Sequence, residues 1–344
     1  MEGKSVEPVY LWVHEGKADL KDASHLWGME TEKSQETIRK DLEDNSVKVA
    51  QIGPEGEKKV RYAAVINDMN HVAGRCGMGE VMGSKNLKAI VVKRNQNVNV
   101  ENPKSVRQLA QWMARYVDDI THDLNTFGTG SAMDVYEATG NLPVHNLRDG
   151  EFPNVNSISA QAVKEHVRVG METCFTCAIQ DRFFTSEIPK RYKGLGILET
   201  VPIEDLGSKK IRLFKYVATW RSLSNCLVMC LFVPWSVQQK VNIVRSVTGW
   251  NTTTFELMKV SERTIDLAMV FNISEGFTEK DDWLPLRFFK PKTSGALSDT
   301  AVNSEMLRKA KSTYYAMMGW DGQGVLTQTK LEELDIAWVR GFSH

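Results

Sequence analysis

The five cysteines carry the most distinctive chemistry in this 344-residue sequence. Cys174 and Cys177 form a Cys-x-x-Cys pair, Cys226 and Cys230 a Cys-x3-Cys pair, and Cys76 stands alone in a glycine-rich stretch. Paired thiolates at such spacing suit a metal ion or an iron–sulfur cluster. The same residues serve equally well as small buried apolar side chains, and spacing alone leaves the two readings open. An odd cysteine count argues against a disulfide framework.

The second feature is the run Gly74-Arg75-Cys76-Gly77-Met78-Gly79-Glu80-Val81-Met82-Gly83-Ser84-Lys85-Asn86-Leu87-Lys88-Ala89-Ile90. Glycines allow backbone amides to approach a ligand closely, and successive amides form anion-binding concavities. Arg75, Lys85 and Lys88 add positive charge suited to phosphate. The run is neither a P-loop, lacking Gly-Lys-Ser/Thr at the required spacing, nor a dinucleotide fingerprint, since no strand–turn–helix unit is evident around it. A glycine-dependent turn system in a β-rich domain is the structural alternative. His14, His71 and His145 are far apart without ligand-like spacing and read as structural histidines. Trp12, Trp27, Trp250, Trp283 and Trp320 read as core or interface aromatics.

The elements that must position these residues follow from periodicity. Strands are expected at Val9–Val13, Val47–Ile52, Val60–Ile66 and Ala89–Val92, and a helix within Asp22–Asp44. From Pro103 the pattern turns helical. Helices are expected over Pro103–Thr121, capped by Asn102 or Ser105, then Thr129–Ala138 closed by Gly140, and Gln161–Arg168. Further helices are expected at Trp235–Val247, Thr253–Phe271, Val302–Met318 ended by Gly319, and Thr329–Glu333. In Thr253–Phe271 the core positions read as Phe255, Leu257, Ile265, Leu267 and Val270. Residues 181–224 give no clear pattern. The fold class is α+β: a β-rich domain over residues 1–95 and a mainly α-helical region over 102–344.

Composition (42% hydrophobic, 25% charged) is that of a globular chain, not a disordered one. Forty-three basic residues balance forty-three acidic ones, and no basic run suggests a nucleic-acid surface. No apolar stretch approaches the about 18 residues of a membrane helix, and the N-terminus has no signal-peptide core, so a cytoplasmic location is expected.

The glycine-rich run resembles the signature that closes the N-terminal domain of the aldehyde:ferredoxin oxidoreductase family. Further stretches resemble the family in order: Pro8-Val9-Tyr10-Leu11, Asp22-Ala23-x-x-Leu26-Trp27-Gly28, Ile52-Gly53-Pro54-x-Gly56-Glu57, Val60-Arg61-Tyr62-Ala63, Asn141-Leu142-Pro143-x-x-Asn146, Cys174-x-x-Cys177, Arg263, Phe271-Asn272, Glu275-Gly276-Phe277, Asp281-Asp282-x-Leu284-Pro285-x-Arg287 and Tyr314-Tyr315-x-x-x-Gly319-Trp320-Asp321. The resemblance implies a tungsten (or molybdenum) bis-pterin, magnesium bridging the pterin phosphates, and a [4Fe–4S] cluster. It also implies oxidation of an aldehyde with electrons passed to ferredoxin or another electron-transfer subunit. A relative with similar motifs reduces an aryl-coenzyme A thioester, and a non-catalytic, partner-binding remnant is the third reading. Homodimer formation is an expectation by the same analogy.

By this resemblance Arg75, Gly77, Gly79, Glu80, Gly83 and Lys85 lie at the pterin phosphates, with Glu80 in place of the usual alanine. Its carboxylate would repel phosphate, bind magnesium or point away. Asn225 and Met229 fall in a second pterin motif, Asn225 replacing its aspartate. Cluster ligands would be Cys174, Cys177 and Cys230. Asp181 stands at the family's third cysteine position, and Cys226 is the other candidate for the missing ligand. Glu199 falls near a family glutamate beside the metal, where it would carry a proton; a surface or capping glutamate is the alternative. Against the family pattern, the half-domain preceding Gly3 and the helical middle between Lys210 and Trp220 have no counterpart.

Overall fold

The computed structural model describes residues 2–69, 71–93, 98–166, 206–230, 233 and 235–342. The chain divides into two compact units, Met1–Val98 and Asn99–His344.

In the first unit, β1 (Val9–His14) turns through Glu15 and Gly16 into β2 (Lys17–Asp22). Both turn residues have positive φ, 48° and 76°, the backbone hand that follows strand twist in a two-residue hairpin. A 3₁₀ turn (Ser24–Leu26) leads to α1 (Thr31–Asp41), then β3 (Lys48–Gln51), α2 (Pro54–Glu57), β4 (Val65–Asn67), β5 (His71–Ala73), α3 (Met78–Ser84) and β6 (Leu87–Val92). The strands form one mixed sheet in the order β2-β1-β6-β3-β4-β5, with β1 and β6 parallel and the other pairs antiparallel. Alternation along β1 sends Tyr10 and Trp12 into a core with Ile38 of α1, Val49 and Val91, while Val9 and Leu11 pack with Ile52, Met82 and Leu87. Each fully buried aliphatic side chain in these layers contributes roughly 1.5–3 kcal/mol.

The second unit is helical. It runs α4 (Pro103–Phe127), a 3₁₀ turn (Gly128–Ala132), α5 (Met133–Ala138), α6 (Val155–Ile158), α7 (Ala160–His166), α8 (Ser208–Cys226), α9 (Val237–Thr248) and α10 (Thr254–Ser274). A 3₁₀ turn (Leu286–Phe289), α11 (Ser304–Met318), α12 (Gln328–Glu333) and a last 3₁₀ turn (Ala337–Phe342) complete it. Local chemistry sets the helix ends. Asn102 accepts from Ser105 N–H at 3.0 Å, with Pro103 opening α4. Ser236 with Gln239 and Thr253 with Glu256 form capping boxes on α9 and α10. Gly249 and Gly319 end α9 and α11 in the left-handed conformation. Trp220 and Leu223 of α8 pack with Val241, Val244 and Leu257, while Val270, Tyr315, Met318, Trp320, Leu331 and Leu334 form a second core.

The α+β class and the expected strands at Val9–Val13, Val47–Ile52 and Ala89–Val92 hold. Four details differ. The strand expected at Val60–Ile66 begins at Val65, because Val60–Ala64 is a turn closed by the Ala63 N–H to Val60 carbonyl bond. The helix expected within Asp22–Asp44 is confined to Thr31–Asp41. Residues 208–226, without visible periodicity, form α8, which packs on both α10 and α11 and so spreads its buried residues around more than one face. Phe255, expected in the core, is 69% exposed, and Trp250 also stands in solvent. Among the described residues, no helix is long and apolar enough to cross a membrane.

Candidate functional site

The glycine-rich run follows β5 and folds as a turn at residues 74–77, α3 and the first part of β6, so a strand–turn–helix unit does surround it, contrary to the expectation from sequence. Three glycines conceal the helix in the sequence, since each disfavours helix on its own. Tertiary packing reverses that preference. A Cβ at Gly83 would lie 1.8 Å from the Gly56 carbonyl oxygen, and one at Gly79 2.5 Å from that of Ala64. Gly79 and Gly83 are one helical turn apart on a single face, and that face presses directly on the backbone of α2 and of the turn before β4. Gly77 adopts φ +64°, with its Cβ position 2.2 Å from the Arg61 carbonyl oxygen, and the Gly79 N–H donates to Ala63 at 3.0 Å. The side-chain positions of all three glycines are thus filled by the chain's own backbone.

The outer edge of the turn is open. Arg75, Cys76 and Met78 are exposed, as are Tyr62, Val72 and Val81 on the same segments. Cys76 holds a left-handed φ of +63° immediately before Gly77. Glu80 lies half-buried in the first turn of α3. Lys85 Nζ donates to the Gly3 carbonyl at 3.0 Å, and the Asn86 amide donates to Ser5 and Val6 carbonyls, tying the N-terminal residues to the turn.

Lys88 does not serve the role expected of it. Its side chain is 0% exposed, with Nζ 2.5 Å from Glu57 Oε1 (4% exposed) and 3.0 Å from the Met29 carbonyl. The other Glu57 oxygen accepts from Gly28 N–H at 2.8 Å. The ammonium is neutralised inside the unit and offers no charge to a phosphate outside it.

In the second unit, Asn225 and Cys226 lie in the last turn of α8 and are exposed, as is Cys230; Met229 is half-buried. The Cys226 sulfur is 3.2 Å from Thr264 Oγ1 on α10. Val228, between the two cysteines, is exposed with φ +52°. No group of three or more His, Cys, Asp or Glu side chains among the described residues could hold a metal ion. Cys174, Cys177, Asp181 and Glu199 lie outside the described residues.

The loop after α5 is more elaborate than its Asn-Leu-Pro motif suggests. His145, Asn146 and Leu147 are consecutively left-handed, with φ of 46°, 57° and 69°. Asp149 holds them: it accepts from both Arg148 Nε and Nη2 at 2.9 Å, from Thr293 Oγ1, and pairs with His145 Nδ1. Arg148, Thr293 and His145 together keep the Asp149 carboxyl well below the usual carboxylate range. A second segment braces the loop, with the Gly150 and Thr293 amides donating to the Ser294 and Arg148 carbonyls at 3.1 Å.

The paired motifs near the C-terminus also meet. Tyr315 OH donates to Asp282 at 2.5 Å, and the Trp320 indole N–H to Asp266 at 2.9 Å. Asp321 receives the Gln323 and Val325 amides. Beside Asp266, Glu262 gathers Lys215, Lys259 and Lys330 at 3.0, 2.7 and 2.9 Å. Sequence spacing gave no sign of this buried charge cluster, because its members come from α8, α10 and α12.

Asp266 is fully buried, and its Oδ2 has no hydrogen-bond partner among the described residues. Burial pushes its carboxyl up to about 7, outweighing the lowering by the Trp320 N–H and by Lys330 and Lys215. A folded-state value above the unfolded one means that the proton is held more tightly in the folded chain. The stability that Asp266 contributes is therefore full in acid, declines as pH rises above the ordinary carboxylate range, and is lost above about 7. Asp266→Asn keeps an acceptor for Trp320 and removes the titration. Its stability relative to the parent should rise by on the order of 2 kcal/mol between about pH 5 and about pH 8, as read by urea unfolding. An unchanged difference across that range would rule out the buried proton.

Family models place this chain. The model for the aldehyde ferredoxin oxidoreductase N-terminal domain matches residues 1–94, and that for domains 2 and 3 matches residues 107–192 and 180–336. The chain belongs to the aldehyde ferredoxin oxidoreductase family. The tungsten-containing aldehyde ferredoxin oxidoreductase of Pyrococcus furiosus is 34% identical over 185 residues, covering 52% of this chain and 30% of that protein. That of Thermococcus kodakarensis is 31% identical over the same shares. The chain thus spans less than a third of the length of these curated relatives. An aliphatic sulfonate oxidoreductase, WOR-like subunit, of Pyrococcus furiosus is 37% identical over 105 residues, 27% of this chain and 17% of that one. Among solved structures, the active-site complex BamBC of benzoyl coenzyme A reductase, in complex with 1,5-dienoyl-CoA, has a chain with a TM-score of 0.64. It is 18% identical and matches over 98% of this chain and 81% of its own, so the likeness is one of fold. The domains 2 and 3 model meets this chain in two pieces that overlap at 180–192, so register with the aldehyde ferredoxin oxidoreductase family breaks in that stretch.

Proposed function

We propose that this chain belongs to a pterin-dependent oxidoreductase of the aldehyde ferredoxin oxidoreductase type, oxidising an aldehyde and passing electrons to ferredoxin. The observation that supports it best is the intact glycine turn, braced from behind by α2 and open along Arg75, Cys76 and Met78. That edge suits a phosphate-bearing cofactor with a flat ring system: a guanidinium for the phosphate, and exposed Tyr62, Val72, Met78 and Val81 to be covered by its faces. A tungsten or molybdenum bis-pterin, when bound, supplies two-electron chemistry at the carbonyl carbon, with a [4Fe–4S] cluster as the electron exit. The chain's own tasks are to bind and orient. Arg75 and the backbone at Gly77 would hold phosphate, while Gly79 and Gly83 fix the turn. Lys85 keeps the N-terminal residues beside it, and Glu80 would repel phosphate, bind magnesium or point away. Asn225 and Met229 would touch the second pterin, and Glu199 would carry a proton near the substrate. Cys174, Cys177 and Cys230 would hold the cluster, with Asp181 or Cys226 as fourth ligand.

A second reading, a non-catalytic subunit that binds a partner, draws support from Asp181 at a cysteine position and from exposed Cys226 and Cys230. The benzoyl-CoA reductase likeness keeps an aryl-CoA substrate as an alternative within the enzyme reading. Elemental analysis of the chain purified without oxygen separates the two classes. The enzyme reading expects tungsten or molybdenum at about one per chain, with iron and labile sulfide in the proportion of one cluster, and Cys230→Ser should lower iron but spare tungsten. Protein that contains none of these elements would exclude the enzyme reading.

A further inference from the structure

Two of the family-like segments enclose a cavity that the oxidoreductase reading does not use. Its volume is about 440 Å³, and its walls are the loop after α10, one face of α11 and the turn beyond α11. Arg308, Lys311 and Ser312 occupy positions i, i+3 and i+4 of α11, so all three present to the same side. Lys280 and Glu279 come from the opposing loop. The lining therefore carries three cationic side chains against one carboxylate.

These cations are placed rather than merely exposed. Lys311 Nζ donates to the Glu279 carbonyl at 2.6 Å, leaving two of its three N–H donors, and lies 5.6 Å from the centre of the Trp283 ring. The Arg308 guanidinium is 6.0 Å from the same ring. Trp283 in turn stacks on Phe289 at 5.5 Å and 18°. Trp283, backed by Phe289, thus forms an aromatic floor beside the guanidinium and the ammonium, and Ser312 lines the same space. With the Asp282 carboxylate engaged behind the wall by the Tyr315 hydroxyl, a guanidinium and an ammonium facing one space, planar and point-charge donors together, match the dianion of a phosphate monoester better than a single carboxylate.

We propose that the cavity between α11 and the loop after α10 is a binding site for a phosphate monoester group, with Arg308 and Lys311 as its principal donors. The site is independent of the pterin and cluster assignments. The test is isothermal titration of the full chain with inorganic phosphate and with phenyl phosphate, at low and constant ionic strength. Both should bind, phenyl phosphate more tightly through contact with the aromatic floor. Arg308→Ala and Lys311→Met should each weaken binding at least about tenfold, and Glu279→Gln, which removes the one carboxylate that lines the space among the described residues, should tighten it. Arg308 is exposed, so its replacement leaves the fold intact. Absence of binding in the parent chain, or equal affinity in the parent and the Arg308→Ala and Lys311→Met variants, would overturn the proposal.

Discussion

Gly83→Ala is expected to destabilise the sheet unit by roughly 4 kcal/mol, at the upper end of what overpacking does. The added Cβ would stand 1.8 Å from the Gly56 carbonyl oxygen and 2.7 Å from its carbon, and neither is the end of a flexible side chain that could swing away. Relief requires α3 to lift from α2, which would withdraw Met82 from the core it shares with Ile52 and Leu87. Gly74, by contrast, would place a Cβ no closer than 3.4 Å to a Val72 methyl, so Gly74→Ala should change stability by less than about 0.5 kcal/mol. Both variants can be compared by amide exchange across β6 and by urea unfolding followed through Trp12 and Trp27. Metal-free Gly83→Ala protein as stable as its parent would show that this glycine serves a bound ligand and not the packing.

The second large effect lies at the buried pair. Lys88→Met is expected to cost about 3–5 kcal/mol, because it leaves the Glu57 carboxylate with no cation in a place that water does not reach. Lys88→Met combined with Glu57→Leu should recover most of the loss, since no buried charge remains. The residual cost, about 1 kcal/mol, comes from the Gly28 N–H deprived of its acceptor. A double-mutant cycle measured by denaturation reads the coupling directly. Single substitutions that cost little and simply add would show that the pair is not held out of water.

Much of the architecture was legible in the sequence, for identifiable reasons. Strands with β-branched and aromatic alternation, as at Val9–His14, declare themselves because one pattern of burial repeats every second residue. Helices with strong caps, α9 and α10, do so because Ser236/Gln239 and Thr253/Glu256 are local signals. What escaped was decided at long range. Helix α8 shares its buried residues among three partner helices, so no single apolar stripe survives to be read. Lys88 sits in the glycine-rich run, and nothing nearby in sequence announces that Glu57, thirty-one positions earlier, will pair with it in the interior. The glycine run was recognisable as a family signature, yet its immediate physical task, the contact of α3 with α2, requires the folded pair to be seen. Phe255 shows the converse: helical spacing put it on the apolar stripe, but it lies in the first turn of α10, beyond the core formed by Leu257, Trp220 and Val244.

The brace on the loop after α5 bears on the order in which the helical unit takes shape. Three successive left-handed residues without glycine cost roughly 1–2 kcal/mol each, so His145, Asn146 and Leu147 do not hold that shape unaided. The contacts that oppose this cost, from Thr293 and Ser294 and from Arg287 to the Asn146 carbonyl, come from residues more than 140 positions away. Such a loop can close only after the intervening helices have brought its buttress into place, and it opens when the buttress withdraws. Whatever His145 and Arg148 present to solvent is therefore assembled late and lost early, a local clasp whose integrity reports on the far end of the chain.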